Sequence, residues 1–114
     1  MSVQRMRRVN EAVREVLSEA LAEGLKDPRI GFVTVTSVDT SPDLRSARVY
    51  VSVLGDEEKR RETLDGLECS HGYLQSLIAR QLGLKRTPQL KFCYDDSIDK
   101  GFRIDELLRE HDGE

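Results

Sequence analysis

The chain has no tryptophan, and only three phenylalanines and three tyrosines among its 114 residues. Reading RNA by stacking bases on aromatic platforms needs exposed rings. Phe32, Phe92 and Tyr94 are expected in the core, which leaves Tyr50 and Tyr73 as outward candidates. Histidine is equally scarce. His71 and His111 lie far apart, no Cys–His or Ser–His–Asp spacing is recognisable, and neither a G-x-x-x-x-G-K-[ST] loop nor H-E-x-x-H occurs. Catalytic groups can converge from distant positions, so these absences lower the expectation of an enzyme without excluding one. The two cysteines, Cys69 and Cys93, have no C-x-x-C spacing and no secretory context, so both are expected to be reduced and no metal knuckle is expected. No apolar run approaches the ~20 residues of a membrane span. The basic start, MSVQRMRRVNEAV, lacks the apolar stretch of a secretory signal and runs into a core-like helix, so it reads as mature protein.

Acids are missing locally. Net charge is −3 overall, yet no Asp or Glu occurs from Cys69 to Tyr94, where about five would be expected from the chain average. That window carries Arg80, Lys85, Arg86 and Lys91. The first fourteen residues add Arg5, Arg7, Arg8 and Arg14 against Glu11 alone. The acids collect in DEEKRRETLDGLE and in the tail from Asp95, with eight acids against three bases. This layout suits a protein with one face for phosphate and another that avoids it, although a chance gap on a solvated surface gives the same string.

Met6, Val9, Val13, Val16, Leu17, Ala20 and Leu21 recur at three and four, which predicts an amphipathic helix over roughly 4–24, closed by Gly24 and Pro28. GFVTVTSVDTS and RSARVYVSVLG read as two strands joined by the turn residues of DTSPDL, an antiparallel hairpin. Arg45 and Arg48 fall on its wet side. Leu64, Leu67, Leu74, Leu77, Ile78 and Leu82 then hold one helical phase, but Gly66 and Gly72 make an unbroken helix doubtful, since each costs about 1 kcal/mol relative to Ala. The expectation is a helix pair bent at Gly72, with Ser70 capping the second half and the free N–H groups of its first turn open to a phosphate. A glycine that merely permits close packing, beside a partly buried His71, is the competing reading. PQLKFCYDD is a third strand, and GFRIDELLREHDGE could add a helical turn or two. The order helix–strand–strand–helix–kink–helix–strand makes an α+β domain in two layers, a three-stranded sheet covered by helices. Residues 1–109 are expected to form one domain. Docking is expected near Phe102–Leu108, and disorder in the acidic residues 110–114.

Three segments carry a family resemblance: DPRIGFVTVTSVDTSPDLRSARVYVSVLG, SHGYLQSLIARQLGLKRTPQLKFCYDDSID and GFRIDELL. Together they resemble the ribosome-binding factor A family, which has a KH-like domain of type II topology. In that family a tight Ala-x-Gly kink replaces the Gly-x-x-Gly loop of other KH domains. Ser70, His71 and Gly72 occupy the matching positions here, with Ser where Ala is usual. The resemblance implies a non-enzymatic, cytoplasmic, monomeric factor without cofactor or metal. Such a factor binds the immature small (30S) ribosomal subunit and its 16S rRNA. It assists late maturation and 5′-end processing, matters most in the cold, and leaves with the aid of a GTPase. The candidate RNA-binding residues are Arg5, Arg7, Arg8, Arg45, Arg48, Ser70, His71, Gly72, Arg80, Lys85, Arg86 and Lys91. They are expected to meet phosphate rather than bases. A general KH-like RNA-binding protein not tied to ribosomes, or a protein-interaction module, would fit the same residues less specifically.

Overall fold

The computed structural model describes residues 3–96. Helix α1 (Val3–Glu23) is followed by strands β1 (Val33–Thr40) and β2 (Ser46–Val53), helices α2 (Glu57–Cys69) and α3 (His71–Leu82), and strand β3 (Gln89–Tyr94). The order expected from periodicity is the order found. Of the residues 1–109 expected to form one domain, 3–96 are described. Phe102–Leu108 and the acidic end at 110–114 lie outside the described residues.

β2 is the centre of the sheet, antiparallel to β1 and parallel to β3. Its pleat sends Ala47, Val49, Val51 and Val53 inward, all buried, while Arg48, Tyr50 and Ser52 alternate outward. A parallel partner requires a crossover connection, and α2 and α3 supply it. Val13 and Leu17 of α1, Leu67 of α2, Leu74 and Ile78 of α3 and Leu90 of β3 complete one buried cluster. The helices therefore cover one face, and the architecture is α+β, two-layered and KH-like, with a mixed three-stranded sheet.

The hairpin connection is fixed by its polar residues. Asp43 accepts hydrogen bonds from the Ser41 hydroxyl (2.6 Å) and the Arg45 N–H (3.1 Å), and Ser41 N–H closes onto Ser46 O at 2.8 Å. A register shift between Val35 and Ser37 bulges β1 at Thr36.

The structure differs from expectation at the kink. The helical pair breaks at Ser70 (φ −88°, ψ 3°), while Gly72 is the second residue of α3, at negative φ. Ser70 N–H still bonds back to Gly66 O (3.0 Å) and Leu67 O (3.1 Å), and Ser70 O already accepts Leu74 N–H at 3.1 Å. One residue thus ends α2 and starts α3. Its hydroxyl makes no capping bond, because the cap needs an extended backbone that aims the side chain at the first turn, and Ser70 has near-helical angles instead. Phe32 also departs from expectation: it is 81% exposed, not core. It stands one residue before β1, outside the inward alternation that begins at Val35.

Candidate nucleic-acid interface

Two cross-sheet rows organise the basic residues. Thr40, Ala47 and Leu90 form one row through paired registers, and Asp39, Arg48 and Lys91 form the next. The second row points away from the helices, so Arg48 and Lys91 lie side by side, both exposed, at the ~4.8 Å spacing of paired strands. Like charges directly opposite destabilise a sheet. Asp39 offsets one cation, and an external anion would relieve the rest. Arg45 adjoins this row through its carbonyl, which accepts Gln89 N–H at 2.9 Å. Arg45 is exposed, with Asp43 at 3.8 Å.

The first turns of α1 reach the same end of the sheet. Asn10 Oδ1 accepts the Thr40 N–H at 2.8 Å, which places exposed Arg7 and Arg8 one turn or less away along the helix; Arg5 lies two residues before Arg7. Lys85 and Arg86, also exposed, stand in the connection into β3. Gln75 fixes the end of that connection: its Nε2 donates to Pro88 O (2.7 Å), and its Oε1 accepts Leu90 N–H (3.2 Å). The amide thus serves the backbone as a neighbouring strand would. Arg80 is exposed on α3, eight residues past Gly72, or about 12 Å along the helix axis.

The kink is not part of this group. Ser70 borders an open cavity of about 540 Å³ lined by Gly24, Leu25, Lys26, Asp27, Cys69 and Tyr73, at the C-terminal end of α1. Arg5, Arg7 and Arg8 lie toward the other end of that 21-residue helix, about 25 Å away. His71 is half-buried, and its Nε2 is shielded from solvent without a hydrogen-bond partner among the described residues. That nitrogen is not presented to a ligand. Gly72 is exposed, and a Cβ there would meet nothing within 4 Å.

What surrounds the kink is structural. The loop at Asp27–Gly31 packs on α2, where Gly66 leaves room: a Cβ there would lie 2.6 Å from Ile30 Cγ1. Buried Thr63 donates to Arg29 O and accepts from Gly31 N–H, both at 3.4 Å. Asp27 accepts from Arg29 Nη2 (2.6 Å), Nε (3.0 Å) and N–H (2.9 Å). Those hydrogen bonds, side chain before backbone, hold its carboxyl down at about 2, and Asp27 with the neighbouring Cys69 raises Arg29 further above its already high value. Sequence reasoning missed Thr63, Gln75 and Asn10. A threonine or an amide on a helix reads as solvated surface, and nothing in the string marks a bond to a segment that arrives later.

Residues 5–108 match the sequence model of ribosome-binding factor A. The chain belongs to the ribosome-binding factor A family. It is 47% identical over 110 residues to ribosome-binding factor A of Halothermothrix orenii, an alignment that spans 96% of this chain and 90% of that protein. It is 55% identical over 104 residues to that of Anaeromyxobacter sp. strain K, spanning 90% and 75%. Among solved structures, the crystal structure of ribosome-binding factor A from Thermus thermophilus superposes with a TM-score of 0.69 at 27% identity, over 78% of this chain and 94% of that one. A homology model of the Thermus thermophilus factor, fitted into a cryo-EM map of its complex with the 30S subunit, gives 0.56 at 32% identity, over 75% and 93%. The chain keeps the fold of its relatives and carries Ser70 at the kink. No described helix is long and apolar enough to cross a membrane.

Proposed function

We propose that this chain is a non-enzymatic assembly factor that binds the immature small ribosomal subunit on its 16S rRNA. It assists late maturation, including 5′-end processing by separate nucleases, and matters most in the cold. It acts as a cytoplasmic monomer without a cofactor and is released with the aid of a GTPase. The observation that carries the reading is the pair Arg48 and Lys91 on a sheet face that no described helix covers, with Arg45 at their side, in a fold whose Thermus thermophilus relative was fitted, as a homology model, into a map of a 30S complex. Arg5, Arg7, Arg8, Lys85 and Arg86 extend this surface, and Arg80 flanks it. Ser70 and Gly72 supply a separate backbone contact. Guanidinium and ammonium groups on a flat sheet meet phosphate without reading sequence, and rRNA shape selects the site.

Binding of the full chain to purified precursor small subunits, measured at 50 and 200 mM monovalent salt, tests the reading. Neutralising three phosphates gives a loss of roughly 20- to 40-fold across that range. The double variant R48E/K91E is expected to lose most of this affinity and most of its salt slope while unfolding at the same temperature. Affinity indifferent to salt, or undiminished in the double variant, would overturn the reading.

A further inference from the structure

Phe32 and Leu54 are 81% and 74% exposed, and they are neighbours: Leu54 N–H donates to Phe32 O at 3.0 Å. They form an apolar corner at the open end of the β1–β2 pair, opposite the end that carries Arg45, Arg48 and Lys91. A cleft of about 330 Å³ continues from Phe32 between α1 and β1, past Leu21 and Ala22. Single exposed apolar side chains are ordinary, but two adjoining ones beside a cleft mark a docking surface.

The rim of this corner is acidic. Glu19 and Glu23 flank the α1 residues of the cleft, and Asp56, Glu57 and Glu58 begin two residues after Leu54. Glu19, Glu23, Glu57 and Glu58 are exposed, and none of them has an ion-pair partner among the described residues. Glu23 ends α1, whose last turn holds no base, so its carboxylate sits at the negative end of the helix dipole. The cations nearby are engaged elsewhere. Lys59 Nζ donates to Arg29 O at 3.4 Å and has Glu62 at 4.0 Å, Arg60 lies over the Tyr94 ring, and Lys26 lines the cavity at the kink. Arg61, exposed one turn into α2, stands against five acids.

We propose that the corner docks a basic segment of another protein, in which Lys or Arg residues flank a bulky apolar side chain. Charge complementarity selects this occupant. A field of this sign repels phosphate, so RNA does not seat here. Two copies of the corner brought face to face would oppose like charges, so a symmetric pair of this chain does not match either. The apolar anchor of a basic segment covers Phe32 and Leu54. Its cations meet Glu19 and Glu23 on the α1 side and Glu57 and Glu58 on the α2 side. Burial of the anchor supplies most of the affinity, while the acidic rim sets the sign of the partner and speeds its arrival. The corner and the Arg48–Lys91 row lie at opposite ends of the sheet and share no residue, so both can be occupied together.

Titration of the isotope-labelled full chain with a synthetic amphipathic peptide of Lys and Leu, followed amide by amide in NMR spectra, tests this surface. Shifts are expected to centre on Ala22, Phe32 and Leu54 and to leave Arg48 and Lys91 unmoved. F32S and L54S, which remove exposed side chains and leave the melting temperature unchanged, are each expected to weaken binding about tenfold, as is E57K/E58K. A Lys–Ser peptide, which has the charge without the anchor, and a Glu–Leu peptide, which has the anchor without the cations, are each expected to bind at least about tenfold more weakly. Four results would overturn the proposal: shifts centred elsewhere, affinity that neither F32S nor L54S reduces, equal or tighter binding of either control peptide, or a concentration-dependent dimer whose dissociation exposes Leu54, which would make the occupant a second copy.

Discussion

Gly66 and Gly72 lie six residues apart in the helices that flank the break, and alanine is expected to act in opposite directions at the two positions. At Gly66 the added Cβ would sit 2.6 Å from Ile30 Cγ1 and 3.4 Å from both Ile30 Cδ1 and Asp27 Cγ. Ile30 cannot move alone, because its N–H is bonded to Asp27 O and its neighbours Arg29 and Gly31 are bonded to Thr63. Helix propensity favours Ala by about 1 kcal/mol, and overpacking against a pinned loop costs about 3 kcal/mol. Gly66→Ala should therefore destabilise by about 2 kcal/mol. At Gly72 nothing lies within 4 Å of the new atom and φ is negative, so Ala fits the native backbone. Restricting the unfolded chain should then stabilise by about 0.5–1 kcal/mol.

For a domain of this size the melting temperature moves about 4 °C per kcal/mol. Circular dichroism should thus show a fall of about 8 °C for G66A and a rise of about 2–4 °C for G72A. The two sites share no neighbour, so the double variant should add within about 0.5 kcal/mol. A rise in both variants would refute close packing at Gly66, and a fall in G72A would refute the helical assignment of that residue. Because G72A leaves the fold intact, its affinity for precursor subunits separates two roles for the kink. A loss of affinity means the Gly72 backbone meets RNA, whereas unchanged affinity means the kink only sets the angle of α3.

Gln75→Ala removes both bonds that hold Pro88 and Leu90. At about 1–1.5 kcal/mol each, the loss is about 2–3 kcal/mol, readable as a lower urea midpoint. Ser70→Ala should leave stability within about 0.5 kcal/mol of wild type, since the hydroxyl makes no capping bond. Asp27 gives a pH signature. Its carboxyl is lowered from 3.8 to about 2 in the folded chain, so its contribution is complete above about pH 4 and is lost as pH falls toward 2. Melting curves of wild type and Asp27→Asn should therefore differ most near neutrality and converge between pH 4 and 2, and a constant gap would refute the Arg29 pairing.

The element order is legible because each element carries one strong period: threes and fours in α1, alternation in β2, and an unbroken leucine phase through α2 and α3. That phase also leads correctly to buried Leu67, Leu74 and Ile78. The position of the break is not legible. Glycine is the weakest helix former in the stretch, yet at Gly72 the backbone is ordinary, and the residue that leaves the helix is Ser70, whose side chain takes no part. Phe32 misleads for a related reason: an aromatic beside a strand is core only if the alternation includes it, and β1 begins one residue later. The basic window from Cys69 to Tyr94 is visible as a charge gap, but one string cannot show that Arg80 is helical surface while Lys91 is sheet surface beside Arg48.

The first two segments that carry the family resemblance contain both loops of one assembly around the kink, and α2 between them supplies the rest. Asp27–Gly31 rests on Thr63 and Gly66 of α2, within two turns before the break. The connection into β3 hangs on Gln75 of α3, five residues after it. The single non-helical residue between α2 and α3 fixes the angle at which the two helices present those clamps. Each helix thereby holds a loop that delivers a strand, Asp27–Gly31 into β1 and the run to Pro88 into β3. Packing thus accounts for the bend itself, and the backbone contact proposed for Ser70 and Gly72 is additional to it. The cationic row at Arg48 and Lys91 stands on side chains that no clamp uses, so its charges can be changed by substitution while the fold is kept.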